Sequence, residues 1–283
     1  MDGLNKVLLF ARMVKIEHSV FALPFAYMGA FIAAAGWPGW PVFLLLTLAM
    51  VAIRSFAMAY NRLADLPFDR ENPRTRNRPL VTGEISVKET RVFVLCCAAV
   101  FIAACAGLNK ACFALSVPAL LYAAFYSYVK RFSWTCHFVL GSVLGLAPLA
   151  GWIAVHPGLP LPALLLFFGV LFWVAGFDIL YACQDVEFDR SWNLRSIPVR
   201  FGIGPALLIS SFCHVNAAIF FLLSGLAAWL QWPFFLVWAL VSSILIFEHT
   251  LIDENDLSRI NLAFFTLNGL ISIVLFCGAL LAL

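Results

Sequence analysis

Charge is scarce in this chain. Asp, Glu, Lys and Arg make up 12% of its 283 residues, about half the share of an ordinary soluble domain. The 46 residues from Phe132 to Phe177 contain none of them. A soluble globular fold is thereby excluded, because 63% hydrophobic residues and a mean hydropathy of +0.96 leave too little polar surface to face water. Paired cysteines are also missing. The eight cysteines form no CxxC, lie mostly within apolar runs and make no secreted disulfide framework, so buried packing is their expected role. The opening stretch "MDGLNKVLLFARMVKIEH" lacks the compact basic start, apolar run and small-residue cleavage site of a signal peptide. An amphipathic helix lying at the membrane interface is expected there instead.

In place of charge the chain has long apolar runs. A membrane helix takes about 20 apolar residues. His18–Ile53 (36 residues), Phe132–Phe177 (46) and Phe201–Phe247 (47) each hold two, divided at "GWPGWP" (36–41), "HPGLPLP" (156–162) and "LQWPF" (230–234). Val92–Asn109, Ala111–Val129 and Ile260–Leu283 add one each, so the sequence predicts a single domain, residues 1–283, with nine transmembrane helices. Such a topology puts sixteen basic residues on one face and only Lys110 on the other, with Arg54 inside a span. The charged face is therefore expected to be cytoplasmic, in a bacterial inner membrane. Trp37, Trp40, Trp152, Trp229 and Trp232 fall near the opposite turns, where an aromatic belt belongs.

Acid is concentrated at two predicted cytoplasmic helix ends. "NRLADLPFDREN" (61–72) closes the second span and "YACQDVEFDR" (181–190) the sixth. Each carries D-x-x-x-D, as Asp65 with Asp69 and as Asp185 with Asp189, the two sets being offset by 120 residues. On a helix, positions four apart face the same way, so each pair presents two carboxylates to one point. The stripes run on into the membrane: Arg54, Asn61 and Asp65 along one helix, Asp178, Tyr181, Asp185 and Asp189 along the other. Ionisable residues inside a span are costly unless paired or wetted, and they mark functional cavities. Four converging carboxylates call for a cation, and hard oxygen ligands suit Mg²⁺, which binds through a few carboxylates and substrate phosphates.

Bases stand beside these acids. Arg74, Arg76 and Arg78 follow the first set, Lys130 and Arg131 occupy the next cytoplasmic loop, and Arg195 and Arg200 follow the second set. A diphosphate needs this combination, metal bridging some of its oxygens and bases neutralising the rest. The positive-inside rule explains the side on which these bases lie, but not their place next to the acids.

These residues resemble the UbiA-type superfamily of membrane prenyltransferases. The family's N-D-x-x-D-x-x-x-D is similar to Asn61–Asp69, its R-T-x-x-R-P-L-x-x-G to "RTRNRPLVTG" (74–83), and its Y-x-x-x-D-x-x-x-D to Tyr181, Asp185 and Asp189. "NLRSIPVRFG" (193–202) resembles the usual continuation, and the likeness covers essentially the whole chain. One position departs: Arg62 stands where the family often has Asp, so a ligand role there is lost, and Leu66 replaces a frequent Arg. The resemblance implies an all-α integral membrane bundle of nine transmembrane helices around a central cavity, capped by cytoplasmic loops. It further implies Mg²⁺-dependent transfer of a polyprenyl group from its diphosphate to an aromatic acceptor. On that basis Asp65, Asp69, Asp185 and Asp189, with Asn61, would hold the metal. Arg54, Arg74, Arg78, Lys130, Arg131, Asp178, Tyr181 and Arg195 would contact substrates.

Two acceptors fit. The motifs in general point to 4-hydroxybenzoate, in respiratory quinone biosynthesis. "KIEHSVFALPFAYMGAF" (15–31) and "YNRLAD" (60–65) look like the branch that uses 1,4-dihydroxy-6-naphthoate in a menaquinone route. Both are hydroxylated aromatic acids whose carboxylate needs a cation, for which Arg54 is the candidate; a structural ion pair with Asp178 is its rival role. Glu17 and His18 are either an interfacial pair or an acceptor contact. A secondary transporter is the alternative of a different class, although transporter sites lie near the midplane on broken helices. A haem-modifying relative is disfavoured because the five histidines form no helix-spaced pair. The expected partners are the two substrates and the lipid bilayer, with no nucleic acid and no obligate protein partner.

Overall fold

The computed structural model describes residues 3–15, 22–254, 256–257, 259–260 and 267–283. Its elements are helices: α1 (Gly3–Val14), α2 (Leu23–Ala34), α3 (Trp40–Glu71), α4 (Pro79–Thr82), α5 (Val87–Leu108), α6 (Lys110–Val129), α7 (Cys136–Val155) and α8 (Leu161–Ala182). A 3₁₀ turn, Cys183–Asp185, leads into α9 (Val186–Ser191), followed by α10 (Ile197–Phe201), α11 (Ile203–Ala227), α12 (Trp232–Thr250) and α13 (Asn268–Leu281). Among the described residues, seven helices are long and apolar enough to cross a membrane: α3, α5, α6, α7, α8 with its continuation to Ser191, α11 and α12. Two further apolar helices, α2 and α13, have 12 and 14 residues. The predicted splits fall where turn residues stand, at positions 35–39, 156–160 and 228–231. Residues 16–21 and 261–266, which belong to or border the predicted first and ninth spans, lie outside the described residues, and Glu17 and His18 with them.

By its contacts the chain forms two compact units, Met1–Ser19 with Leu44–Tyr128, and Val20–Phe43 with Val129–Leu283. In the first unit α3 has 32 residues and runs about 48 Å, longer than the hydrocarbon core of a bilayer. Its polar last turns are thus free to extend into the headgroup region. Helix α1 buries Leu9, Met13 and Val14 and exposes Lys6 and Arg12, as an amphipathic helix does, although Val7 and Leu8 are exposed as well. It is fastened to α5 by Lys6 Nζ on Glu89 Oε1 at 2.6 Å and by Phe10 stacked on Phe93. Helix α5 starts with a reciprocal cap. The Ser86 hydroxyl accepts the Glu89 N–H and the Glu89 carboxylate accepts the Ser86 N–H, which satisfies two of the donors every helix start leaves open.

In the second unit α8 packs against α7 and α11, and α2 against α7. Glycine makes these approaches possible. A Cβ on Gly141 or Gly145 of α7 would strike the backbone carbonyls of Leu171 and Phe167 in α8, and one on Gly151 would strike that of Ala26 in α2. Small residues at helix contacts let backbones meet in lipid, where no hydrophobic force drives helices together. A buried polar chain adds a second tie. Trp173 Nε1 donates to Asn268 Oδ1 at 2.6 Å, and Asn268 Nδ2 donates to Glu248 Oε1 at 3.0 Å. His214 Nδ1 lies 3.7 Å from Glu248 Oε2 and 2.9 Å from His249 Nε2. The chain thereby links α8, α13, α12 and α11. All eight cysteines are free; five are buried, as packing requires, whereas Cys96 and Cys277 are exposed.

Candidate active site

The acidic end of α3 is shaped by its own sequence. Asn61, Asp65 and Asp69 recur every fourth residue and share a face, on which Asp65 is 6% and Asp69 7% exposed. The Asn61 amide donates to Asp65 Oδ2 at 3.0 Å, leaving its carbonyl oxygen as the atom able to ligate. Beyond Glu71 the chain reverses around Asn72, whose carbonyl accepts the N–H groups of Thr75 and Arg76 and whose Oδ1 accepts that of Arg74. The Thr75 hydroxyl donates to the Asp69 carbonyl at 3.1 Å. This reversal returns Arg78 to the helix it came from, Nη1 meeting Asp69 Oδ2 at 2.5 Å. Pro79 then opens α4, and Gly83, at a φ of 82°, ends it in the left-handed conformation glycine adopts without strain. The "RTRNRPLVTG" run is thus a clip that holds a cation against Asp69.

Arg62 lies in this cluster as well. It is 8% exposed and within electrostatic range of Asp65, Asp69 and Arg78. The guanidinium compensates charge among these acids. Arg54, two turns deeper in α3, has a buried Nε that makes no hydrogen bond among the described residues. Arg74 is exposed and Arg78 half-buried.

The second acidic end is built differently from the continuous helical stripe expected. Asp178 and Tyr181 belong to α8, Asp185 closes the 3₁₀ turn, and Asp189 lies on α9. A 3₁₀ turn advances about 20° further per residue than an α-helix. Three such residues rotate the next helix by roughly 60°, so the four side chains do not line one straight face. Asp189 is nonetheless buried, at 8% exposure, and its carbonyl accepts the Leu194 N–H at 2.8 Å. Arg195 has a structural duty beside its predicted one. Its N–H donates to the Lys130 carbonyl and its Nη1 to the Phe132 carbonyl, both at 2.6 Å, stitching the loop after α9 to the loop before α7. The Lys130 side chain is half-buried and that of Arg131 exposed.

The donor set suits magnesium: oxygen throughout, from carboxylates largely withdrawn from water, which need positive charge nearby. Among the described residues no three His, Cys, Asp or Glu side chains stand close enough to hold an ion by themselves.

Two groups of polar residues were not singled out from the sequence. His137 Nδ1 lies 2.7 Å from Asp178 Oδ2, 41 residues apart in sequence and so beyond any local pattern. Glu248 carries the signal that could have found the second group, since it is an acid directly after the 47-residue uncharged run.

Known proteins of the same architecture carry the same motifs' family name. A model of the UbiA prenyltransferase family matches residues 22–270. The 4-hydroxybenzoate octaprenyltransferase of Methylobacillus flagellatus is 31% identical over 279 residues, covering 98% of this chain and 94% of that one. The enzyme of the same name from Actinobacillus pleuropneumoniae serotype 3 is 29% identical over 249 residues, 87% and 84% of the two chains. Among solved structures, the apo form of a UbiA homolog from Aeropyrum pernix K1 superposes with a TM-score of 0.85 at 35% identity, covering 93% of this chain and 97% of that one. A UbiA homolog from Archaeoglobus fulgidus, bound to GPP and Mg²⁺, has the same fold with a TM-score of 0.72 at 23% identity, covering 96% and 99%.

Proposed function

The chain belongs to the UbiA prenyltransferase family, and from that premise we propose that it transfers a polyprenyl group from its diphosphate to the ring of a hydroxylated aromatic acid, 4-hydroxybenzoate or a close analogue, for a respiratory quinone. The observation that carries this reading is the acidic end of α3, where Asn61 and Arg78 are each bonded to one of two buried aspartates. The names of the relatives support the acceptor, and the ligands of the Archaeoglobus structure support the donor and the metal.

In this reading α2 and α13 join the seven longer helices, and the nine surround one cavity in a single domain whose charged mouth faces the cytoplasm. Asp65, Asp69, Asp185 and Asp189, with the Asn61 carbonyl oxygen, would hold Mg²⁺. Bound there, the ion would draw negative charge off the diphosphate. Arg74, Arg78, Lys130 and Arg131 stabilise the charge that grows on the leaving oxygen as the C–O bond breaks. Tyr181 and Arg195 line the approach to the same anion. Arg54 offers its Nε, which has no partner among the described residues, to the acceptor carboxylate, which turns the ring toward the allylic carbon. Apolar helices exclude water and so protect the allylic cation from hydrolysis.

Membranes bearing the full chain, given labelled polyprenyl diphosphate and Mg²⁺ with 4-hydroxybenzoate or 1,4-dihydroxy-6-naphthoate, are expected to accumulate prenylated 4-hydroxybenzoate. Turnover of the naphthoate alone would reassign the acceptor. Absence of diphosphate release with either acid would overturn the reading.

A further inference from the structure

Attaching a prenyl group to an aromatic carbon displaces a ring proton, which needs an acceptor. We propose that Asp178 is the base that takes this proton and that His137 positions it, an inference that rests on the transfer reaction proposed above. The geometry fixes the protonation of the pair. The Ile197 N–H donates to His137 Nε2 at 3.3 Å, so Nε2 is an acceptor and carries no proton. A neutral imidazole has one donor and one acceptor nitrogen. Nδ1 therefore bears the hydrogen and donates it to Asp178 Oδ2 across 2.7 Å. Asp178 is held as a hydrogen-bonded carboxylate by a histidine that cannot take a second proton without losing its backbone partner.

The surroundings keep that arrangement in place. Ile197 is the first residue of α10, and the segment before it is fastened by the two Arg195 bonds and by the Cys136 Sγ contact to the Arg195 carbonyl at 3.5 Å. The Ser196 hydroxyl accepts the Val199 N–H at the start of the same helix. The pair is also asymmetric: the His137 side chain is 3% exposed and that of Asp178 24%. The buried member orients and the open member is the one a ring can reach. Asp178 precedes Asp185 by seven residues and so lies about 10 Å further into the span, on the membrane side of any diphosphate held at the acidic tip.

The step balances. As the donor C–O bond breaks, its electron pair leaves with the diphosphate. The ring's π electrons form the new C–C bond. The ring C–H bond then returns its electrons to the aromatic system, and its proton passes to the free oxygen of Asp178.

The test uses the full chain in membranes with acceptor deuterated on the ring, against the unlabelled acid. His137→Phe is expected to lower kcat about tenfold or more, to leave KM for the polyprenyl diphosphate within about twofold, and to raise the isotope effect on kcat above that of the unaltered chain. His137→Asn keeps a donor toward Asp178 and should recover part of kcat. Asp178→Asn, nearly the same size, is expected to lose about a hundredfold or more and answers the question if the phenylalanine variant does not fold. Folded variants with unaltered kcat and isotope effect overturn the proposal. An unaltered chain that forms no C-prenylated ring sinks the transfer itself, and the base with it.

Discussion

A partly buried ion pair is a local device that is costly to break. Arg78 and Asp69 meet through a charge-assisted bond at 2.5 Å with side chains 23% and 10% exposed, and removing one partner strands the other in a poorly solvated place. Arg78→Ala is therefore expected to lower prenyl transfer about a hundredfold, or about 2.7 kcal/mol in the barrier. Arg78→Lys should recover part of it, because the charge returns without the planar fork. Asp65→Ala and Asp185→Ala should each abolish transfer while folded protein remains in the membrane. Steady-state rates beside detergent-extracted yield separate the two effects, and near-normal turnover in both alanine variants would dispose of the acidic site. The helical placement of Asp65 and Asp69 was legible in the sequence because D-x-x-x-D matches a helical repeat and needs nothing from elsewhere in the chain, whereas the 3₁₀ turn between Asp178 and Asp189 breaks that repeat in the second set. His137 was not, since its meaning comes from Asp178 and from the Ile197 amide, which only folding brings to it. The double engagement of Arg195 was hidden for the same reason: backbone carbonyls carry no signature in sequence.

At the scale of helices, hydropathy read seven of the nine predicted spans as helices long enough to cross, because an apolar run with a Pro- or Gly-rich break has few alternatives in a bilayer. It could not read the 3₁₀ turn at Cys183–Asp185. The same residues satisfy a hydrogen bond three or four positions back, and packing decides between them. Nor could it read how helices are tied together. Asn268 is fully buried between Trp173 and Glu248, so Asn268→Leu leaves an indole N–H and a carboxylate without their partner. A loss of about 2–4 kcal/mol is expected from the two groups together, seen as a lower midpoint in thermal unfolding of the detergent-solubilised chain. Asn216→Leu provides the contrast. Asn216 is a half-buried residue of α11 whose side chain, among the described residues, bonds the Phe212 carbonyl in its own helix and nothing on another, and its replacement should leave the midpoint within about 0.5 kcal/mol of the unaltered chain. Equal losses in both variants would mean that the polar chain does not hold these helices together.

For the molecule as a whole, orientation decides whether diphosphate chemistry meets the cytoplasmic pool of substrate and magnesium. On a nine-span topology the imbalance of sixteen bases against one is expected to set that orientation through the energetics of insertion rather than through any contact in the folded state. It can be read out with thiols. The eight native cysteines all lie within helices or the 3₁₀ turn, and five are buried. A membrane-impermeant maleimide needs both water and thiolate, so the unaltered chain should give little background from either side. Arg76→Cys places a thiol in the exposed reversal after α3, and Lys110→Cys places one at the exposed first residue of α6, beside its short connection to α5. Intact cells should label only Lys110→Cys, and inside-out vesicles only Arg76→Cys. The reverse pattern would put the acidic helix ends outside the cell. The arginine clip on Asp69 would then have formed on the side where a diphosphate donor made in the cytoplasm could not reach it, and the transferase reading would fail with the topology.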